Sequence, residues 1–305
     1  MCDIWKDQSN KNFLTSNEIQ KLPSSLTDIN ITGGEPFLHP NLIEIIKSTK
    51  STCPRSQIII NTNGFQSKNI AQQSAKLLSI DPKIGIRVSL DGYGHLHSQI
   101  RGTKNAWSKA IQTLKLLQNS DIKNLGVSFT IMEKNYCDLP KIFKFCQKNN
   151  LQLSLTLASS SSIYFGLNKI DLRPKDTNKL NYVIKKIIST RLKSTNFKEW
   201  LRAYFDHELA KYNQTNHRPL PCYAGKNSFY LDNQANIYVC HLHNWLLGNL
   251  NESNFDSIWT KTKTYQEYVR QCQDCWMVCS FKPSLKYHLP QVIFSILKLK
   301  LFYET

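Results

Sequence analysis

Thr27-Asp28-Ile29-Asn30-Ile31-Thr32-Gly33-Gly34-Glu35-Pro36 alternates in polarity and then turns on two glycines. The pattern predicts a strand running into a tight turn. Glycine permits the sharp backbone and lets a ligand come close. Glu35 follows as a carboxylate able to accept from an ammonium group. Alone, such a turn is ordinary, and its neighbours decide its meaning.

Outward from it, strand and helix patterns alternate. Thr15-Ser16-Asn17-Glu18 reads as a capping box opening a short helix to Leu22. Residues 40–47, 70–78, 106–117 and 139–147 have helical apolar spacing, with Pro40 suited to a first turn. Residues 57–61, 84–90, 125–132 and 151–157 read as strands. Several look apolar on both faces, the chemistry of a parallel sheet. Polar motifs stand where strands end: Asn61-Thr62-Asn63-Gly64, then Ser89-Leu90-Asp91-Gly92. In α/β barrels that end carries the active site. A serine run at 159–162 marks a break, and residues 179–212 read as helical with mixed charge. Beyond Pro219 and Pro221 the composition shifts to cysteine, asparagine and aromatics. The expected organisation is therefore an α/β core over 1–162, a helical linker over 163–220, a cysteine-rich unit over 221–281 and a basic, apolar C-terminal helix over 282–305.

The chain has 305 residues, enough for a core that needs no staples. Its formal charge is +17, from 39 basic and 22 acidic residues. Only eight of the basic residues are arginine and no run of like charge forms, so a solvated lysine surface is expected, with no nucleic-acid partner. No apolar run is long enough to span a bilayer, no apolar leader follows Met1, and a cytoplasmic protein without membrane association is expected. In that compartment nine cysteines are not a disulfide framework. Cys53, Cys137 and Cys146 are scattered, while Cys222, Cys240, Cys272, Cys275 and Cys279 crowd together and argue for a metal. His95, His97, His241 and His243 read first as hydrogen-bonded or surface histidines, although two of them closely follow Cys240.

With Cys2-Asp3-Ile4-Trp5 ahead of the Gly-Gly-Glu-Pro turn and Arg101-Gly102 behind the strand-end motifs, the first 160 or so residues resemble the radical S-adenosylmethionine (radical SAM) superfamily. The resemblance implies a (β/α)6 TIM-like barrel and a catalytic 4Fe–4S cluster held by a C-x3-C-x2-C triplet. It implies SAM bound to that cluster, with Gly33, Gly34, Glu35 and Pro36 at its amine. Asn63, Ser89 and Arg101 would complete the cofactor site, the last two towards ribose or carboxylate. Only the third cysteine is present, as Cys2. The first two, and the first barrel strand, are expected to precede Met1, so this chain is expected to be truncated within the motif, to ligate that cluster incompletely and to be inactive by itself.

The cysteine-rich block carries Leu247-Gly248-Asn249-Leu250 and Phe255-Asp256-Ser257-Ile258-Trp259 between its cysteines, and resembles the SPASM/twitch extension of the same enzymes. That implies one auxiliary 4Fe–4S cluster on Cys222, Cys240, Cys272 and Cys275, with Cys279 as a spare ligand, an alternate ligand or a bystander. The family's glycine five residues before the second cysteine is Ala235 here. The implied reaction is reductive cleavage of SAM to methionine and a 5′-deoxyadenosyl radical that takes hydrogen from a substrate, peptide, protein or small metabolite. A flavodoxin- or ferredoxin-type reductant is implied. The alternatives are a zinc-holding nucleic-acid module, in which the strand-end motifs have no task, and a catalytically dead remnant.

Overall fold

The computed structural model describes residues 13–161 and 171–304; Cys2 and Ser162 lie outside them. The described chain opens on α1 (Ser16–Gln20), whose Thr15–Glu18 capping box forms in full. Then β1 (Asp28–Ile31), α2 (Leu42–Thr52), β2 (Gln57–Thr62), α3 (Ser67–Ile80), β3 (Gly85–Ser89), α4 (His95–Arg101), α5 (Ala106–Gln118), β4 (Asn124–Ile131), α6 (Leu139–Lys148) and β5 (Gln152–Leu157) alternate. The five strands pair in chain order, all parallel, and curl into a half-barrel. This is the expected partial TIM-like sheet.

One expectation changes. The strands are apolar on the convex face, where Ile58, Ile60, Ile86, Val88, Val127, Phe129, Leu153 and Leu155 are buried under the helices. The concave face is largely polar. Asn61 Nδ2 donates to Asn30 Oδ1 at 2.7 Å, and Ser128 Oγ to Asn61 Oδ1 at 3.4 Å. Lower on that face, the buried Arg87 donates to Asn124 and Gln152. The physical reason is the curl: helices cover one face only, so the other lines an opening and need not be apolar. The helix after β1 also starts later than expected, with Asn41 as its N-cap, and Pro40 precedes it.

The expected helical stretch after the barrel is two helices, α7 (Thr177–Leu192) and α8 (Phe197–Thr215), split at Lys193 to Asn196. Arg191 and Asp206 form a buried pair between them at 2.6 Å, and Arg191 also donates to the carbonyl of Leu153 on β5. The three-stranded sheet of β6 (Tyr230–Leu231), β7 (Asn236–Tyr238) and β8 (Leu246–Asn249) is antiparallel. It is followed by α9 (Phe255–Thr260), α10 (Gln266–Gln271) and α11 (Val278–Glu304), which breaks at His288, two residues before Pro290.

Two apolar cores result. The larger joins the barrel's convex face with Tyr204, Phe205, Trp276, Phe281, Val292 and Ile296. The smaller surrounds Ile237, Val239 and Ile258, and Leu14 and Leu22 from the start of the described chain pack on it. Among the described residues, no helix is long and apolar enough to cross a membrane.

Candidate active site and auxiliary metal centre

The turn after β1 meets the ends of β2 and β3 at one rim of the half-barrel. Gly33 has φ +135°, a conformation that favours glycine, and among the described residues no heavy atom beyond the chain neighbours lies within 4 Å of where a side chain on Gly33 or Gly34 would start. Glu35 caps the short 3-10 turn that begins at the buried Pro36, accepting from Phe37 N at 3.2 Å. The same carboxylate accepts from Thr62 Oγ1 and from Asn63 N, both at 2.8 Å. Burial pushes Glu35 above the usual carboxylate range, and these hydrogen bonds and Arg101 oppose that shift. Asn63 turns its own Oδ1 onto Phe65 N, so its side chain shapes the loop that presents its backbone.

Arg101 ends α4 and forms an ion pair with Asp91 at 2.5 Å. Asp91 is wholly buried, accepts from Thr130 N, and its backbone N–H donates to Nδ1 of the equally buried His97. Asn135 ties the Asp91 carbonyl to that of Thr130. The arginine is thus oriented by a rigid carboxylate while keeping other donors, and it stands near enough to Glu35 to lower it. Ser89 closes β3 half-buried, in register with Ser128. Glu35, Asn63 and Arg101 therefore gather as the motif order suggested. Asp91 and His97 belong to the support of the site. Their signal in the sequence is the Asp91-Gly92 turn.

At the far end, the β6–β7 hairpin lies between Cys222 and Cys240, and Ala235 at its turn takes φ +67°, a glycine conformation. Burial raises the thiols of Cys240 and Cys272, and nearby backbone N–H groups, of His243 and Leu242 for the first and of Asp274 for the second, oppose that shift. Cys222 raises the thiols of Cys240, Cys272, Cys275 and Cys279 through space. Burial does more, pushing Cys275 to about 11 and Cys272 to about 12. Crowding around the Cys279 sulfur and then Cys275, Cys240 and Cys222 raise that thiol as well, although the residue is exposed. His243 Nε2 lies 2.9 Å from Asp274 Oδ2 and 3.8 Å from Cys272 Sγ.

Among the described residues the ligand atoms that meet within 4.8 Å of one another are those of His243, Cys272 and Asp274, and no three cysteine sulfurs come that close. The five cysteines are still near enough for their thiols to act on one another, and such a group fits an iron–sulfur cluster, which would hold the sulfurs as thiolates. Arg218, buried beside Cys275, is the residue that sequence reasoning missed. Nothing around it in the chain marks it, since apart from the Leu220 carbonyl its side-chain partners are more than fifty positions away.

Residues 2–146 match the radical SAM superfamily, and residues 222–277 match SPASM, an iron–sulfur cluster-binding domain. The chain is 30% identical over 151 residues to Fe-coproporphyrin III synthase of Methanosarcina barkeri, a match covering 48% of this chain and 36% of that protein. It is 28% identical over 130 residues to the sporulation killing factor maturation protein SkfB of Bacillus subtilis, covering 42% and 30%. It is 22% identical over 255 residues to the mycofactocin maturase MftC of Mycobacterium tuberculosis, covering 78% and 59%. The matches thus span about a third to three fifths of these relatives' lengths. Both domain matches coincide with the two sites built above, and the chain carries a radical SAM domain over residues 2–146 followed by a SPASM domain over 222–277.

Proposed function

We propose that the chain acts in an enzyme that binds SAM at the barrel rim and uses it to modify a peptide or protein. The observation that carries this reading is the anchoring of Glu35 by Thr62 and Asn63 from the next strand end. Bound at its cluster, SAM supplies the radical chemistry, a 5′-deoxyadenosyl group able to take hydrogen from carbon. The chain's own residues do the rest. Gly33 and Gly34 leave the turn open to a ligand, and the fixed Glu35 carboxylate offers an acceptor to an ammonium group. Arg101, aligned by Asp91, presents a cation to a carboxylate or ribose. Ser89 adds a hydroxyl from the end of β3.

Two features support a peptide or protein substrate. The maturase match covers 78% of the chain, more than the radical SAM domain alone. The concave face offers amide and hydroxyl groups, at Asn30, Asn61 and Ser128, of the kind that pair with a peptide backbone. Cys222, Cys240, Cys272 and Cys275 would hold one auxiliary 4Fe–4S cluster with Cys279 beside it, and a flavodoxin- or ferredoxin-type protein would supply electrons. The iron–sulfur character of the family matched at 222–277 supports iron over zinc.

Protein with a complete C-x3-C-x2-C motif at Cys2, reconstituted with iron and sulfide and reduced with dithionite, should release 5′-deoxyadenosine from SAM. Glu35→Gln should weaken SAM binding by ~1.5–3 kcal/mol, the scale of a charge-assisted hydrogen bond, in a calorimetric titration. Release no greater than in a protein-free control would end this reading.

A further inference from the structure

We propose that Arg218 is the internal counter-cation of the auxiliary cluster, stabilising its ligation and favouring its reduction. The inference rests on reading residues 222–279 as an iron–sulfur site. It starts from where the guanidinium's hydrogen bonds go. Arg218 is 8% exposed. Its Nε donates to the Leu220 carbonyl at 3.2 Å, and Nη1 donates to the Cys275 carbonyl, to Ser280 Oγ at 3.3 Å and to Cys275 Sγ at 3.5 Å. Its plane lies over the Trp276 ring, 5.7 Å from the centroid. Every one of these partners is formally neutral in the thiol state. Nη2 is buried and has no hydrogen-bond partner among the described residues.

Three other arginines in well-covered positions are handled differently. Arg101 and Arg191 are each paired with a buried carboxylate. Arg87 has no carboxylate, but its hydrogen bonds go to carbonyl oxygens of Ile86, Asn124 and Gln152, and none of its nitrogens is left buried without a partner. Arg218 alone among these four touches sulfur. A buried cation with neutral partners and an idle donor is costly unless a negative charge accompanies it. The thiols beside it supply that charge once they ligate iron. A 4Fe–4S core on four thiolates is net negative and gains one more negative charge on reduction. A cation at hydrogen-bond distance from a ligating sulfur favours both ligation and the reduced form.

The test is a potentiometric titration, followed by electron paramagnetic resonance, of the full chain reconstituted anaerobically with iron and sulfide. The auxiliary signal is identified by its loss in Cys275→Ser. In Arg218→Gln the reduced-to-oxidised ratio at the wild-type midpoint should fall about ten-fold, ~59 mV for a one-electron couple. The same variant should lose iron to a chelator about ten-fold faster, an expectation from the Coulomb scale at short range. Arg218→Lys, which keeps the charge and loses the planar fork, should retain the wild-type midpoint. A wild-type midpoint in Arg218→Gln would overturn the proposal. So would a ten-fold shift in Arg218→Lys, since geometry and not charge would then be responsible; that variant decides the matter even if the glutamine form does not fold. Failure of the wild type to take up iron and sulfide would instead overturn the iron–sulfur reading itself, and is separately visible by metal analysis.

Discussion

His97 is wholly buried and accepts the Asp91 N–H at Nδ1, which places its own proton on Nε2. Burial holds its pKa down at about 4, against 6.5 in the unfolded chain, with Asp91 opposing the shift and Arg101 reinforcing it. Between those values the unfolded chain takes up a proton that the folded one refuses, so stability falls as pH drops from about 6.5 towards 4. The loss expected from this group between about pH 7.5 and 5 is about 2 kcal/mol. His97→Asn keeps an acceptor for Asp91 and does not titrate, so urea unfolding at the two pH values should show that increment disappear. Gly64 makes a second case. Its φ is +76°, and a side chain there would start 2.8 Å from Val88 Cγ1 and 3.2 Å from the Ala110 backbone. Gly64→Ala should cost ~1–3 kcal/mol by strain and overpacking, read as a lower urea midpoint. The Glu35 cradle was legible because its partners come in motif order, one strand end later. Arg218 was not, because a contact 57 residues away in the chain leaves no local pattern.

Among the elements, the strand centres were legible and their faces were not. Hydrophobic alternation marks a strand, but whether helices cover one face or two depends on the curl of the whole sheet. The curl brings β4 and β5 close where Gly126 stands opposite Gln152. A Cβ at Gly126 would meet the Gln152 carbonyl oxygen at 2.6 Å. Gly126→Ala should therefore part these strands and destabilise by ~1–3 kcal/mol, with faster amide exchange along β5 than elsewhere in the sheet. Helices α7 and α8 were read as one because their apolar spacing continues nearly unbroken. What fixes them is the Arg191–Asp206 pair and its bond to Leu153, contacts between helices and sheet. Asp206→Ala leaves Arg191 buried beside only the more distant Glu199 and should cost ~3–5 kcal/mol by chemical denaturation.

At the scale of the whole molecule the two cores are interlaced. The first described segment serves the later one: Lys21 Nζ donates to the Leu250 carbonyl at 2.7 Å, and Leu14 and Leu22 pack near Ile237. The last serves the earlier one, with Trp276 stacked on Phe205 at 5.5 Å and Val292 and Ile296 in the barrel's core. Unfolding followed by tryptophan fluorescence and by far-ultraviolet circular dichroism should accordingly coincide in one transition; two separated midpoints would show that the cores hold independently. The interlacing also sets a timetable at the ribosome. Leu14 and Leu22 are made more than two hundred residues before Ile237, and the place of Trp276 beside Phe205 stays vacant for some seventy. At ~5–20 residues per second, the earliest apolar surface waits on the order of 10–40 s for its cover. During that interval a nascent chain presents what chaperones recognise. Stalled chains ending near residue 260 should be cut quickly by a brief pulse of protease, and released full-length chains should survive it.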